Sequence, residues 1–327
     1  MTTYIIRRLV LMIPTLILIS IISFIIIQLP PGDFLSAYIG QLMSHGENID
    51  QELIENLKQR YGLDQPLHLQ YLKWIWGCLH GDFGLSFEWN QPVAKIIGER
   101  LGLTALVSIF TLLFTWLVAI PIGVYSATHQ YSIIDHILTF LGFIGLAMPG
   151  FLLALILLYL AVSWLGVNLS GLFSPHYVDA PWSWGKIVDL LKHVWIPMII
   201  VGLSGTASLI RIMRANLLDE LRKPYVVTAR AKGLSEFRLL WKYPVRIAIN
   251  PFVSTIGQIL PTIISGTTIV AVVLNLPTTG PILLNALMSQ DMYLAGTFIM
   301  FLAILTVIGT LISDILLVWL DPRIRYQ

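Results

Sequence analysis

The sequence predicts an all-α membrane protein with six transmembrane helices. Hydrophobic residues make up 56% of the 327 positions and charged residues only 12%, about half the charged share of a soluble domain. Six apolar stretches, 9–29, 101–126, 137–165, 194–213, 250–275 and 293–319, have about the 20 residues that a bilayer crossing needs. No charged residue lies between Arg100 and Asp135, between Asp135 and Asp179, or between Arg246 and Asp291.

The first element, residues 1–29, is an N-terminal transmembrane helix. Its run from Leu9 to Leu29 exceeds the core of a signal peptide, and Pro30-Pro31-Gly32-Asp33 follows instead of a small-residue cleavage site. Residues 30–94 form a long, polar, extracytoplasmic helical region. Leu53, Ile54, Leu57 and Tyr61 recur at helical spacing, as do Leu69, Leu72, Trp76 and Leu79. Short helices on the outer membrane surface are expected there, with Trp74, Trp76 and Trp89 anchored among headgroups rather than recognising a ligand. A five-helix bundle occupies 95–320, and 321–327 is a short tail.

Lys and Arg set the orientation. Residues 211–246 carry Arg211, Arg214, Arg222, Lys223, Arg230, Lys232, Arg238, Lys242 and Arg246, and both termini are basic through Arg7, Arg8, Arg323 and Arg325. The loops 166–193 and 276–292 hold only Lys186 and Lys192. Both termini and the 214–249 loop are therefore placed in the cytoplasm. Six spans put the short loop 127–136 there too, although it has no Lys or Arg.

Several chemistries leave no trace. The chain has no GxxxxGK[ST] loop for nucleotide phosphates and no HExxH, GxSxG or CxxC. The seven histidines fall in loops or at span edges without metal-ligand spacing. The net charge of +2 does not suggest nucleic acid, and the single Cys78 excludes an internal disulfide. Catalytic, cofactor and metal sites are thus expected to be absent. Asp314 is the one acid well inside a predicted span, where charge is costly. An ion pair near the inner interface is favoured for it over a proton relay. Prolines in spans can kink them; Pro149 with Gly150, and Pro261, are candidate hinges.

The most informative segment is cytoplasmic. Residues 224–237 read as one short helix opened by Pro224. Val226, Ala229 and Gly233 share a face, and Ala229 with Gly233 would let another surface approach closely. A basic membrane-surface helix and a docking helix explain this pattern equally well.

The stretch Tyr225-Val226-Val227-Thr228-Ala229-Arg230-Ala231-Lys232-Gly233-Leu234 resembles the coupling-loop signature of binding-protein-dependent ABC importer permeases, specifically the dipeptide/oligopeptide/nickel group. Val227-Thr228-Ala229 stands where the general signature has Glu-Ala-Ala, and Tyr243-Pro244-Val245-Arg246 where it has Ile-x-Leu-Pro. Tyr61-Gly62-Leu63-Asp64-Gln65-Pro66-Leu67, Gly81-Asp82-Phe83-Gly84-Leu85-Ser86, Pro92-Val93 before Glu99-Arg100-Leu101, and Leu320-Asp321-Pro322-Arg323-Ile324-Arg325-Tyr326 are similar to other parts of that group. The long region after the first span resembles the first of its two non-identical permeases.

The resemblance implies a type I ABC importer transmembrane-domain fold in the cell membrane. It also implies a second homologous permease, two ABC ATPase subunits that bind ATP and Mg, and an extracytoplasmic substrate-binding protein. Tyr225, Thr228, Ala229, Arg230, Ala231, Lys232, Gly233 and Leu234 would then couple this chain to an ATPase. Peptide is the first expected cargo, ahead of oligosaccharide and nickel chelates. The rivals from other classes are an ion-coupled secondary transporter, which would show repeated topology and midplane ionisable groups, and a membrane assembly factor.

Overall fold

The structure is a computed structural model that describes residues 2–28, 55, 65–86, 88–166, 170–256, 268–289 and 291–320. The chain divides into two compact units. Four single helices among the described residues are long and apolar enough to cross a membrane, and a bent pair makes a fifth crossing if counted as one.

The smaller unit comprises the described residues of Arg7–Gly102 and Ile282–Ile304. Helix α1 (Thr2–Gln28) supplies most of its first span. The α2 helix (Leu67–Leu79) packs on α1 through aromatic contacts, with Phe24 5.5 Å from Tyr71 and 5.8 Å from Trp74. The Ser20 and Tyr71 hydroxyls meet at 2.7 Å, and Gln28 donates to Gln70 at 3.1 Å. Trp74, expected among headgroups, is therefore a core residue, whereas Trp76 and Trp89 are exposed. A two-residue antiparallel ribbon, β1 (Leu85–Ser86) with β2 (Gln91–Pro92), leads into α3 (Val93–Thr128).

Asp291 fastens this ribbon to the last helix, α12 (Met292–Leu320). Its fully buried carboxylate accepts hydrogen bonds from the Ser86 hydroxyl at 2.5 Å, the Glu88 amide at 3.3 Å and the Leu294 amide at 3.2 Å. The last of these caps the start of α12. Gly84 lies at φ +92°, and a Cβ there would fall 2.6 Å from the Tyr293 ring, so both backbone angle and space require glycine.

The larger unit centres on Leu103–Pro281. Its first two elements are the greater part of α3 and then α4 (Ile133–Ala147). The single span expected over 137–165 is instead α4 and α5 (Gly150–Leu160), continued by a π turn over Ala161–Leu165. The two arms meet at 102°. Pro149 drives the preceding residue out of helical geometry, and Met148 accordingly sits at φ −82°, ψ 122°. Pro14, Pro121 and Pro197, in contrast, lie inside continuous helices.

Helix α6 runs from Trp184 to Leu221, starting ahead of the expected boundary at 194. The stretch before it is folded rather than an open loop. Buried Lys186 donates to the carbonyls of Val178 at 3.2 Å and Ala180 at 2.6 Å, with its ammonium 4.9 Å from the Phe173 ring centre. Asp189 accepts from the Ser174 amide at 2.7 Å and hydroxyl at 2.6 Å.

Where helices meet inside a membrane, close packing rather than escape from water holds them together, and small residues permit it. A Cβ on Gly123 of α3 would stand 2.5 Å from Met213 Cβ of α6, and one on Gly202 would stand 3.0 Å from the Phe114 ring. Leu217, Met213 and Phe252 fill the core beside them.

Further helices among the described residues are α7 (Pro224–Ala231), α8 (Glu236–Lys242), α9 (Pro244–Ala248), α10 (Thr268–Val273) and α11 (Thr279–Met288). Of the span expected over 250–275, residues 250–256 and α10 are helical; 257–267, including Pro261, lie outside the described residues.

Candidate functional site

Helix α6 ends at Leu221 with Arg222 as its C-cap, and Lys223 turns the chain into α7 with Pro224 as its first residue. The single helix expected over 224–237 is instead a helical hairpin: α7 stops at Ala231 and α8 begins at Glu236. The stop is a Schellman motif. The Leu234 amide bonds the Ala229 carbonyl at 3.4 Å, the Gly233 amide bonds the Arg230 carbonyl at 3.0 Å, and Gly233 lies at φ +79°.

This break changes what the face of α7 does. Val226 and Ala229 turn inward and pack with Leu239 of α8, against Leu221, Leu234 and Tyr243. They hold the hairpin together, although Ala229 also reaches the wall of the adjoining groove. Tyr225, Val227, Thr228, Arg230, Ala231, Lys232 and Gly233 remain exposed. Among the described residues, nothing lies within 4 Å of where a Gly233 side chain would begin.

Arg230 spans the hairpin. Its guanidinium donates to both oxygens of Glu236, at 2.5 and 3.0 Å. These bonds hold the Glu236 carboxyl below its ordinary value and raise that of Arg230. Tyr225 donates to the Glu220 carboxylate, tying α7 back to α6.

Beside the hairpin lies an open groove of about 810 Å3. Lys223, Lys232, Lys242 and Arg246 line it, with Glu220 as the acid among its described lining residues. Tyr225 and Tyr243 add aromatic surface, their ring centres 6.5 Å apart. The groove is thus a basic, partly aromatic concavity suited to an acidic protein surface.

A second constellation escaped sequence reading. Asp135, assigned to the 127–136 loop, is 2% exposed in the first turn of α4. It accepts from Arg214 of α6 at 2.9 and 3.3 Å and from the Tyr131 amide at 3.0 Å. The sequence offered no local signal for a pair 79 positions apart, though an acid ending a long uncharged stretch was visible. Pro149 and Gly150 flank the sharp bend. Asp314 is partly buried within the last two turns of α12.

Comparisons with known proteins follow the same outline. The family described as "Binding-protein-dependent transport system inner membrane component" matches residues 119–326, and its N-terminal counterpart matches 1–109. The chain is 36% identical to the oligopeptide transport system permease protein AppB of Bacillus subtilis, over 100% of both chains. It is 31% identical to the dipeptide transport system permease protein DppB of Escherichia coli K12, again over 100% of each. Similarity to the peptidoglycan transport system permease protein YejB of Agrobacterium fabrum is 30%, covering 100% of this chain and 99% of that one.

Proposed function

We propose that this chain, which belongs to the family of binding-protein-dependent transport system inner membrane components, carries peptides across the membrane as one permease subunit of an ATP-driven importer. The observation that carries this reading is likeness along the whole chain to permeases named for oligopeptides and dipeptides. The chain itself is non-catalytic, and ATP hydrolysis belongs to separate subunits.

The coupling step falls to the α7–α8 hairpin. Its exposed residues Val227, Thr228, Ala231 and Gly233 present a surface of small and medium side chains, and the basic groove beside them complements an acidic ATPase face. A load on the hairpin has a short way to travel, because only Arg222 and Lys223 separate α7 from α6. That helix is continuous for 38 residues, or about 57 Å. Closure of two ATPases would therefore move the cytoplasmic end of α6. The Asp135–Arg214 pair would take α4 with it. In this reading both chain ends and the hairpin face the cytoplasm, a second permease completes the pathway and an extracytoplasmic binding protein delivers cargo.

Reconstitution into proteoliposomes with the partner permease, ATPases and binding protein tests this reading. ATP-dependent uptake of labelled oligopeptides is expected. Uptake of oligosaccharide or a nickel chelate, with none of peptide, would replace the cargo. Uptake driven by an ion gradient without ATPases would overturn the mechanism.

A further inference from the structure

The geometry points to a binding site for one anionic phospholipid between α4 and α6, with its headgroup at Arg211 and an acyl chain along α4. A pocket of about 320 Å3 lies between these helices, within the usual range for small-molecule sites. It is graded along its length. At one end Tyr131, His136 and Arg211 are exposed. Of the two guanidiniums there, Arg214 is committed to Asp135, whereas Arg211 bonds no other described residue.

Towards the other end the described lining is apolar apart from Thr139: Leu138, Gly142, Phe143, Leu146, Ala207 and Ile210. From His136 to Leu146, α4 rises about 15 Å. A cation at the mouth and apolar walls leading into the span match the polarity of a phospholipid. Basic side chains at a membrane surface attract anionic lipid, and the bilayer supplies both parts of this ligand together. A helix from a second permease would instead need an acid placed at the same depth as Arg211. The site is separate from the coupling hairpin and does not require its proposed role.

Gly142 makes the site testable without disturbing the fold. Among the described residues a Cβ there would meet only Ala207 Cβ, at an ordinary 3.8 Å, so Gly142→Leu fills the pocket while favouring helix. The purified full chain would be melted in detergent micelles doped with dioleoyl-phosphatidylglycerol or dioleoyl-phosphatidylcholine. Phosphatidylglycerol should raise the thermal midpoint of the wild type above that in phosphatidylcholine. Gly142→Leu and Arg211→Gln should each lose that difference, and Lys242→Gln, in the other groove, should keep it. Four results would overturn the assignment: no difference in the wild type, a difference that survives both pocket substitutions, one lost only in Arg211→Gln, or one reproduced by glycerol 3-phosphate alone.

Discussion

Gly233 has two separable duties, and a size series at this position distinguishes them. Its φ of +79° closes the Schellman turn between α7 and α8. An L-residue in this conformation costs about 1–2 kcal/mol, roughly a 5–30-fold shift in a local equilibrium. Unwinding to escape that cost forfeits the Gly233 and Leu234 amide bonds to Arg230 and Ala229, each worth about 1 kcal/mol. Asn tolerates the left-handed region better than most residues. A Cβ at Gly233 meets no atom of the described residues within 4 Å, so Ala and Leu carry nearly the same backbone penalty. If backbone geometry were the only role, Ala and Leu would impair uptake equally and Asn hardly at all. If a partner closes over this turn, uptake falls with side-chain volume. We expect Gly233→Leu to insert normally, with a midpoint close to that of Gly233→Ala, yet to abolish uptake, while Gly233→Ala keeps part of it. Peptide uptake in reconstituted vesicles, beside thermal melts of each variant, makes the comparison. Normal uptake by Gly233→Leu would refute the docking argument.

Other perturbations have defined outcomes. Asp135→Ala leaves the Arg214 guanidinium, 27% exposed, without its buried partner, and a broken pair of this kind costs about 3–5 kcal/mol. A large fall in thermal midpoint is expected, and a shift below one degree would show the pair to be idle. Gly123→Ala places a methyl 2.5 Å from Met213 Cβ and 2.7 Å from its Cγ, so the midpoint should fall; an unchanged midpoint would show that the close approach of α3 and α6 is dispensable. The Cys78 thiol is pushed from 9.0 up to about 12, first by burial and then by the charge of Asp82. Its alkylation rate should therefore climb steadily past pH 9; a plateau near 9 by mass spectrometry would contradict this. Combined Lys232→Glu and Lys242→Glu reverses charge along the basic groove and should reduce ATPase recovery in pull-downs, as should raised salt with the wild type. Unchanged recovery in both would remove the groove from the interface.

The long apolar helices were legible because composition alone marks a membrane span. Helices α1, α3, α6 and α12 fall where apolar runs predict them, though α6 starts at Trp184. That early start depends on Ser183 capping the helix and on Lys186 and Asp189 being satisfied by nearby carbonyls and Ser174, contacts that no periodicity records. Pro149 was visible as a disturbance, but its 102° outcome was not, since proline can equally sit inside a straight helix, as Pro121 does in α3. The hairpin break was readable in principle: Gly233 followed by Ser235 and Glu236 is a helix stop and then a start. Reading Gly233 as a packing residue concealed its backbone role. The Asp135–Arg214 and Ser86–Asp291 contacts join segments far apart in sequence, so only folding brings them together.

What accompanies this chain out of the membrane tests its coupling role most directly. Affinity purification from native membranes in mild detergent should recover a second permease and ATPase subunits, with ATP hydrolysis stimulated by a peptide-loaded binding protein. Recovery of the chain alone, together with gradient-driven transport after reconstitution, would contradict the coupling role of the α7–α8 hairpin.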